Sequence, residues 1–291
     1  MALALLAGPP TAPAWAEPLS FASLLARPRA AADRRIAYGP APEQFGELWL
    51  PFAGGKRGVV VMIHGGCWQA GFGLDLMDYA AEDLRARGMT VWNIEYRRLG
   101  NAGGGYPGTF QDVGAALDKL RELAGRYNLD LRHVVLVGHS SGGQLALWAA
   151  ARHRLAGSSP LSLANPLPVS GVVTLAGIDD LRTYRRVGPE ACGGPGTIDA
   201  LVAAAKRPTV NRFADTSPAD LVPIGVPQAI ISGDLDLIVP AVFGFDYAAK
   251  AAAAGDPVSA ATLPGAGHFE LIDPRSVAWR SIAPTIARML K

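Results

Sequence analysis

The residues best placed to do chemistry form the run Gly138-His139-Ser140-Ser141-Gly142-Gly143, which follows the apolar stretch Val134-Val135-Leu136-Val137 and opens a helical pattern near Gln144. A serine flanked by glycines at a strand-to-helix turn is forced into a strained backbone that lifts its hydroxyl above the sheet edge. Ser140 is therefore the candidate nucleophile, and Ser141, one step off the apex, is the rival. The helix that follows aims its first amides at the same place, where they favour developing negative charge. The chemistry implied is acyl transfer through a serine oxygen.

A serine hydroxyl attacks poorly at neutral pH without a base, and imidazole is the usual one. The chain holds 5 histidines. His64 closes a strand-like run, His139 lies inside the turn, His133 precedes a strand and His153 falls near a helix end, so each reads as structural. His268, in Pro264-Gly265-Ala266-Gly267-His268-Phe269 after the last strand-like run, can reach back over the sheet edge and is the base by elimination and by position. A carboxylate must orient that imidazole, and in such a fold it lies between Ser and His in chain order. Asp236, in Ser232-Gly233-Asp234-Leu235-Asp236-Leu237-Ile238-Val239-Pro240, is the first choice, with Asp234 its competitor. Asp179, Asp180, Asp215 and Asp220 read as turn or capping residues.

An acyl-transfer intermediate also needs hydrogen-bond donors that are fixed before reaction. His64-Gly65-Gly66-Cys67-Trp68, directly after the apolar residues 59–63, supplies a tight turn with amides pointing inward. Gly66 and Cys67 are assigned as oxyanion donors together with Ser141, and Cys67 serves through its amide, not its sulfur. Trp68 is expected to wall the substrate pocket, core packing being the competing reading. Glu95 and Arg97, at a strand end, read as an internal ion pair tying adjacent loops.

These groups need a scaffold, and the chain alternates short β-type runs with longer helical patterns. Strands are predicted over 46–50, 59–63, 90–94, 134–137, 172–175, 229–232 and 259–263, and helices over 76–87, 110–127, 142–153, 240–254 and 276–290. Residues 59–63 and 134–137 are apolar at every position, so both faces are buried, as in a mostly parallel sheet covered by helices. The expected class is α/β: one catalytic domain over 45–291, led by a segment over 17–44 draped on the surface. The irregular stretch 179–221 is expected to be a small cap inserted over one end of the sheet.

Composition narrows the function. Hydrophobic residues at 49% and charged residues at 18% exclude a disordered chain, and 27 Lys+Arg against 25 Asp+Glu leave no basic block for nucleic acid. No run of 18 apolar residues suggests a membrane span. The 2 cysteines, Cys67 and Cys192, are too few for a zinc site or a disulfide framework; one disulfide between them is open. Residues 1–16, apolar over 2–7 and ending in Ala14-Trp15-Ala16, look like the tail of a secretory signal, although no Lys or Arg precedes the apolar run. A periplasmic or secreted location is the expectation, a cytoplasmic one the alternative.

His-Gly-Gly-x-Trp at 64–68 paired with Gly-His-Ser-x-Gly-Gly at 138–143 resembles the α/β-hydrolase serine esterases. Within them it is similar to the kynurenine formamidase (arylformamidase) group and to bacterial feruloyl-esterase-like hydrolases. The likeness runs from about residue 35 to the end and takes in Glu95-Tyr96-Arg97-Arg98 and Tyr106-Pro107-Gly108. The resemblance implies Ser140, Asp236 and His268 as a triad and the His64 motif as the oxyanion loop. Cys67 departs from hormone-sensitive-lipase-type enzymes, which carry a third glycine there, and its bulk is expected to narrow the acyl pocket. Such chemistry requires no metal or organic cofactor, and the partner is a small-molecule ester or amide. Hydrolysis of short-chain or aromatic carboxylic esters leads. Arylformamidase activity on N-formylkynurenine comes second, ahead of a serine peptidase or a non-catalytic binding module.

Overall fold

The computed structural model describes residues 18–52, 57–206 and 209–291; the leader expected over 1–16 lies outside them. The strands are β1 (Arg34–Ala37), β2 (Phe45–Trp49), β3 (Arg57–Ile63), β4 (Thr90–Ile94), β5 (Leu129–His139), β6 (Gly171–Leu175), β7 (Gln228–Gly233) and β8 (Val258–Leu263). The helices are α1 (Phe21–Leu25), α2 (Asp78–Ala86), α3 (Gly108–Asp118), α4 (Leu120–Tyr127), α5 (Ser141–Ala150), α6 (Leu181–Val187), α7 (Gly194–Leu201), α8 (Ala241–Ala253) and α9 (Trp279–Met289).

The strands form one 8-stranded sheet in the order β1-β2-β4-β3-β5-β6-β7-β8. β1 and β2 run antiparallel to their neighbours, and every pairing from β4 across to β8 is parallel. This is the helix-flanked, mostly parallel α/β sheet expected from the uninterrupted apolar runs. Val59 to Ile63 and Val134 to Val137 are wholly buried, each such side chain contributing about 1.5–3 kcal/mol. Helices α5 and α9 pack on β5 and β6, α8 packs on β7 and β8, and α2 on β2 and β4.

Departures from the sequence reading fall where burial is one-sided. Residues 17–44 are not all irregular: β1 adds an edge strand and α1 a short helix, capped by the Ser20 hydroxyl accepting from the Ser23 amide at 3.1 Å. β1 is largely exposed, so it carries no apolar alternation to announce it. The helix expected over 110–127 is divided at Lys119, whose backbone stays helical at φ −56° and ψ −28°. The stretch 179–221 holds α6 and α7, with Pro195 in the first turn of α7, where a missing amide proton costs nothing.

Candidate functional site

The loops after β3, β5, β7 and β8 meet at the C-terminal edge of the sheet, where open α/β sheets place their ligand crevices. Ser140 stands between β5 and α5 with φ 56° and ψ −124°, a left-handed conformation that a non-glycine residue adopts at a cost of about 1–3 kcal/mol. The turn survives because its neighbours have no side chains to clash. A Cβ on Gly142 would run into the backbone carbonyls of Ile63 and His64, and one on Gly65 would lie 2.8 Å from the His139 carbonyl oxygen and 2.9 Å from Ser140 Cβ. The elbow and the loop after β3 are thus pressed directly together. Leu175 O accepts from the Ser140 amide at 2.8 Å, and Ser140 O accepts from the Gly143 and Ile178 amides at 2.9 and 3.2 Å.

His268 and Asp236 come together. His268 Nδ1 lies 2.6 Å from Asp236 Oδ2, with both side chains buried. The other carboxylate oxygen, Oδ1, accepts from the Ile238 and Val239 amides at 2.8 and 2.9 Å, so the carboxylate cannot swing. Tyr184 in α6 donates its hydroxyl to Ile238 O at 2.9 Å; burial, then the charge of Asp236, pushes its pKa up to about 12, keeping that proton in place. Asp234 is exposed and accepts from the Ala266 amide at 3.2 Å, a turn contact that does not involve the imidazole. Burial and the neighbouring His268 drive His139 well below the usual imidazole range. Neutral, it donates from Nε2 to His268 O at 3.1 Å and packs against the His268 ring, centroids 4.5 Å apart, fixing the His268 backbone.

Ser140 and His268 face one cavity of about 270 Å³, without a hydrogen bond between their side chains. Its walls are Phe21, Phe72, Leu76, Ile238 and Phe269, with Gly66 and Cys67 on the loop side. Phe21, at the start of α1, meets Phe72 edge-on at 5.0 Å and Phe269 at 6.1 Å. Such apolar walls select an uncharged group.

In the loop after β3, Gly66, Cys67 and Trp68 follow one another at φ 108°, 53° and 56°. Among the described residues, the Gly66, Cys67 and Ser141 amides donate to no protein acceptor. Trp68 corrects the sequence reading. Its ring is wholly buried, its indole N–H donates to Gln144 Oε1 at 3.0 Å, and it lies outside the cavity, in the core. The size of the indole and its fixed partner on α5 draw it inward.

The charges behind this loop also differ from expectation. Glu95 pairs with His64 at 2.9 Å and Arg98 at 3.0 Å and accepts from the Leu74 and Tyr96 amides at 3.1 and 2.9 Å. Arg97 turns away and grips Asp112 through Nε and Nη2, both at 2.7 Å. Burial alone would raise the Glu95 carboxyl, but His64 and Arg98 together hold it below the ordinary range. His64 stacks on Tyr96 at 4.4 Å, and the Tyr96 hydroxyl donates to His64 O at 2.8 Å. Behind the elbow, Asp179 is buried with Thr174 donating to Oδ2 at 3.1 Å and nothing on Oδ1; burial pushes its pKa up to about 7.

The two cysteines are joined: Cys67 and Cys192 form a disulfide across 125 residues. Sequence reasoning left this pairing open and missed Phe21, Phe72 and Phe269 as walls. For the disulfide the available signal was that the chain holds 2 cysteines and one sits in the His64-Gly65-Gly66-Cys67-Trp68 turn. Among the described residues no helix is long and apolar enough to cross a membrane.

Comparison with the curated proteins finds no match. Solved structures similar to this chain include esterase B from Lactobacillus rhamnosis, at 19% identity over 92% of this chain and 90% of that one, TM-score 0.76. A truncated carbohydrate esterase from gut microbiota is 22% identical over 90% of this chain and 97% of that one, TM-score 0.73. Propionate-bound esterase 2 from Thermogutta terrifontis is 18% identical over 88% of this chain and 93% of that one, TM-score 0.70. At these identities the likeness is one of fold. The BD-FAE family matches residues 47–246, well over half of the 291. By that match, the chain belongs to the BD-FAE family, a family of α/β-hydrolase-like esterases.

Proposed function

We propose that the protein hydrolyses carboxylic esters of small, uncharged acyl groups through a serine acyl-enzyme. The observation that carries this reading is the short contact of Asp236 with His268, which lines the same cavity as Ser140. Asp236 holds the ring with Nδ1 protonated, leaving Nε2 as the base. Nε2 takes the Ser140 hydroxyl proton as Oγ attacks the acyl carbon, and the oxyanion that develops accepts from the Gly66, Cys67 and Ser141 amides. The N-terminal end of α5 adds its dipole to the same point. The leaving alcohol receives the proton from Nε2; water then repeats the cycle, and the carboxylic acid departs.

The apolar cavity, with Cys67 among its lining residues, supports a short aliphatic or single-ring acyl group. Labelling with a fluorophosphonate, followed by peptide mapping, should place the adduct on Ser140. p-Nitrophenyl esters graded by acyl length should turn over fastest at short chains. Failure of both label and turnover would end this reading. N-Formylkynurenine, assayed beside an aryl ester, should be the poorer substrate, and a reversed order would make the protein a formamidase. The chain's opening residues support export, which detection of a mature form shortened near Ala16 would test.

A further inference from the structure

The three left-handed residues of the loop after β3 are held unequally. Trp68 is tied on all sides: its amide donates to Ser141 Oγ at 3.4 Å, its carbonyl accepts from Leu99 at 2.8 Å and its indole is bonded to Gln144. Gly66 O accepts from the Gln69 amide at 2.9 Å, and the Gly66 backbone leans on the Phe72 side chain. Cys67 makes no backbone hydrogen bond to any described residue, and a cysteine has no intrinsic preference for φ 53°. Its tie is the disulfide.

The other end of that bond is firmly seated. Cys192 is buried at the end of a short turn, Glu190–Cys192, whose Glu190 carbonyl accepts from the Gly193 amide at 2.8 Å. The helix that follows, α7, is anchored toward its C-terminal end: Asp199 takes two hydrogen bonds from Arg185 at 2.8 and 2.7 Å, and Leu201 O accepts from the Tyr106 amide at 2.9 Å. Ala191, beside Cys192, lines the cavity.

We propose that Cys192 is a positioning residue: through its disulfide it holds Cys67 in the left-handed conformation that turns the Cys67 amide toward the oxyanion. This rests on the reading of Ser140 as an esterase nucleophile. Turnover then depends on the oxidised state. A dithiol reductant opens the bond by exchange: two thiols form on Cys67 and Cys192, the reductant closes to its own disulfide, and two electrons and two protons pass to the protein. Released, Cys67 relaxes toward negative φ and its amide leaves the site.

The test compares oxidised wild type with Cys192→Ser, each assayed well below its unfolding temperature. A displaced donor should lower kcat on p-nitrophenyl propionate by about ten- to a hundredfold and leave KM within about threefold. Inhibition by an alkylboronic acid, which forms a tetrahedral anion on the serine, should weaken by a similar factor, a readout that a purely stabilising disulfide would not move. Wild type treated with dithiothreitol should fall to the variant's kcat and recover with oxidised glutathione, whereas the variant should respond to neither. If Cys192→Ser does not fold, this reduction cycle on folded wild type decides alone. A kcat within twofold of oxidised wild type, with only the unfolding temperature lowered, overturns the inference and leaves ester hydrolysis standing. A wild type that neither turns over esters nor takes a fluorophosphonate label removes both.

Discussion

The elbow around Ser140 and the loop around Cys67 lie in contact and both bend through left-handed residues, yet they are built on different principles. The elbow is local. A buried strand enters it, a helix leaves it, small neighbours let the backbone close, and its hydrogen bonds run to β6 alongside. The loop is assembled from far away, by Glu95 and Arg98 after β4, Leu99, Gln144 on α5 and Cys192 before α7. Their buried carboxylates differ in the same sense. Glu95, behind the loop, is paired and held ionised; Asp179, beside the elbow, lacks a cation and is pushed toward the neutral form. Strain can therefore be stored either in a self-closing turn or in one that distant groups must hold shut.

If the elbow is self-contained, removing the hydroxyl alone should destroy chemistry and spare the fold. Ser140→Ala is expected to lower kcat by about a millionfold with little change in unfolding temperature. Residual ester turnover near the wild-type level would transfer the role to Ser141. The loop carrying Asp236 sets the next effect. Asp236→Asn should cost about ten-thousandfold in kcat, because the imidazole loses its orienting acceptor, while Asp234→Asn at an exposed turn should stay within about threefold. The opposite ranking would exchange the two residues.

The paired and the unpaired carboxylate should give opposite pH dependences. The folded state lowers the Glu95 pKa, so its contribution is complete above the unfolded value of about 4.5 and is lost as pH falls through the lower folded value. Glu95→Gln should cost about 3 kcal/mol at neutral pH, the gap to wild type closing in acid. Asp179 has the reverse sign. Its folded pKa is raised from 3.8 to about 7, so wild type loses stability as pH rises between those values. Asp179→Asn should therefore be the more stable protein above pH 7, by up to on the order of 4 kcal/mol, and no more stable near pH 4. Urea unfolding at several pH values checks both, and parallel behaviour of the two variants would erase the distinction drawn between elbow and loop. The smallest effect belongs to the cavity wall. Phe21→Ala, on a helix outside both regions, should shift the ratio of kcat/KM for hexanoyl over propionyl esters upward by about tenfold. An unchanged ratio would confine acyl selection to the loop side.

What the amino-acid order determined on its own was whatever depends on near neighbours. Runs such as Val59 to Ile63 and Val134 to Val137 announce buried parallel strands because burial on two faces leaves no polar position. The turn at Ser140 is legible because strand, small residues and helix adjoin it, and Asp236 and His268 stand out by their places after β7 and β8. β1 escaped because an exposed edge strand imposes no apolar period. The tertiary structure alone decided the rest: that Trp68 turns into the core, that Glu95 takes Arg98 and His64 instead of Arg97, that Phe21 closes the cavity and that Cys67 meets Cys192. Apart from Arg98, three residues from Glu95, the partners chosen lie tens of residues or more away in the chain. Local propensity carries no information about such choices, since only the packed sheet and its loops bring the competing partners within reach.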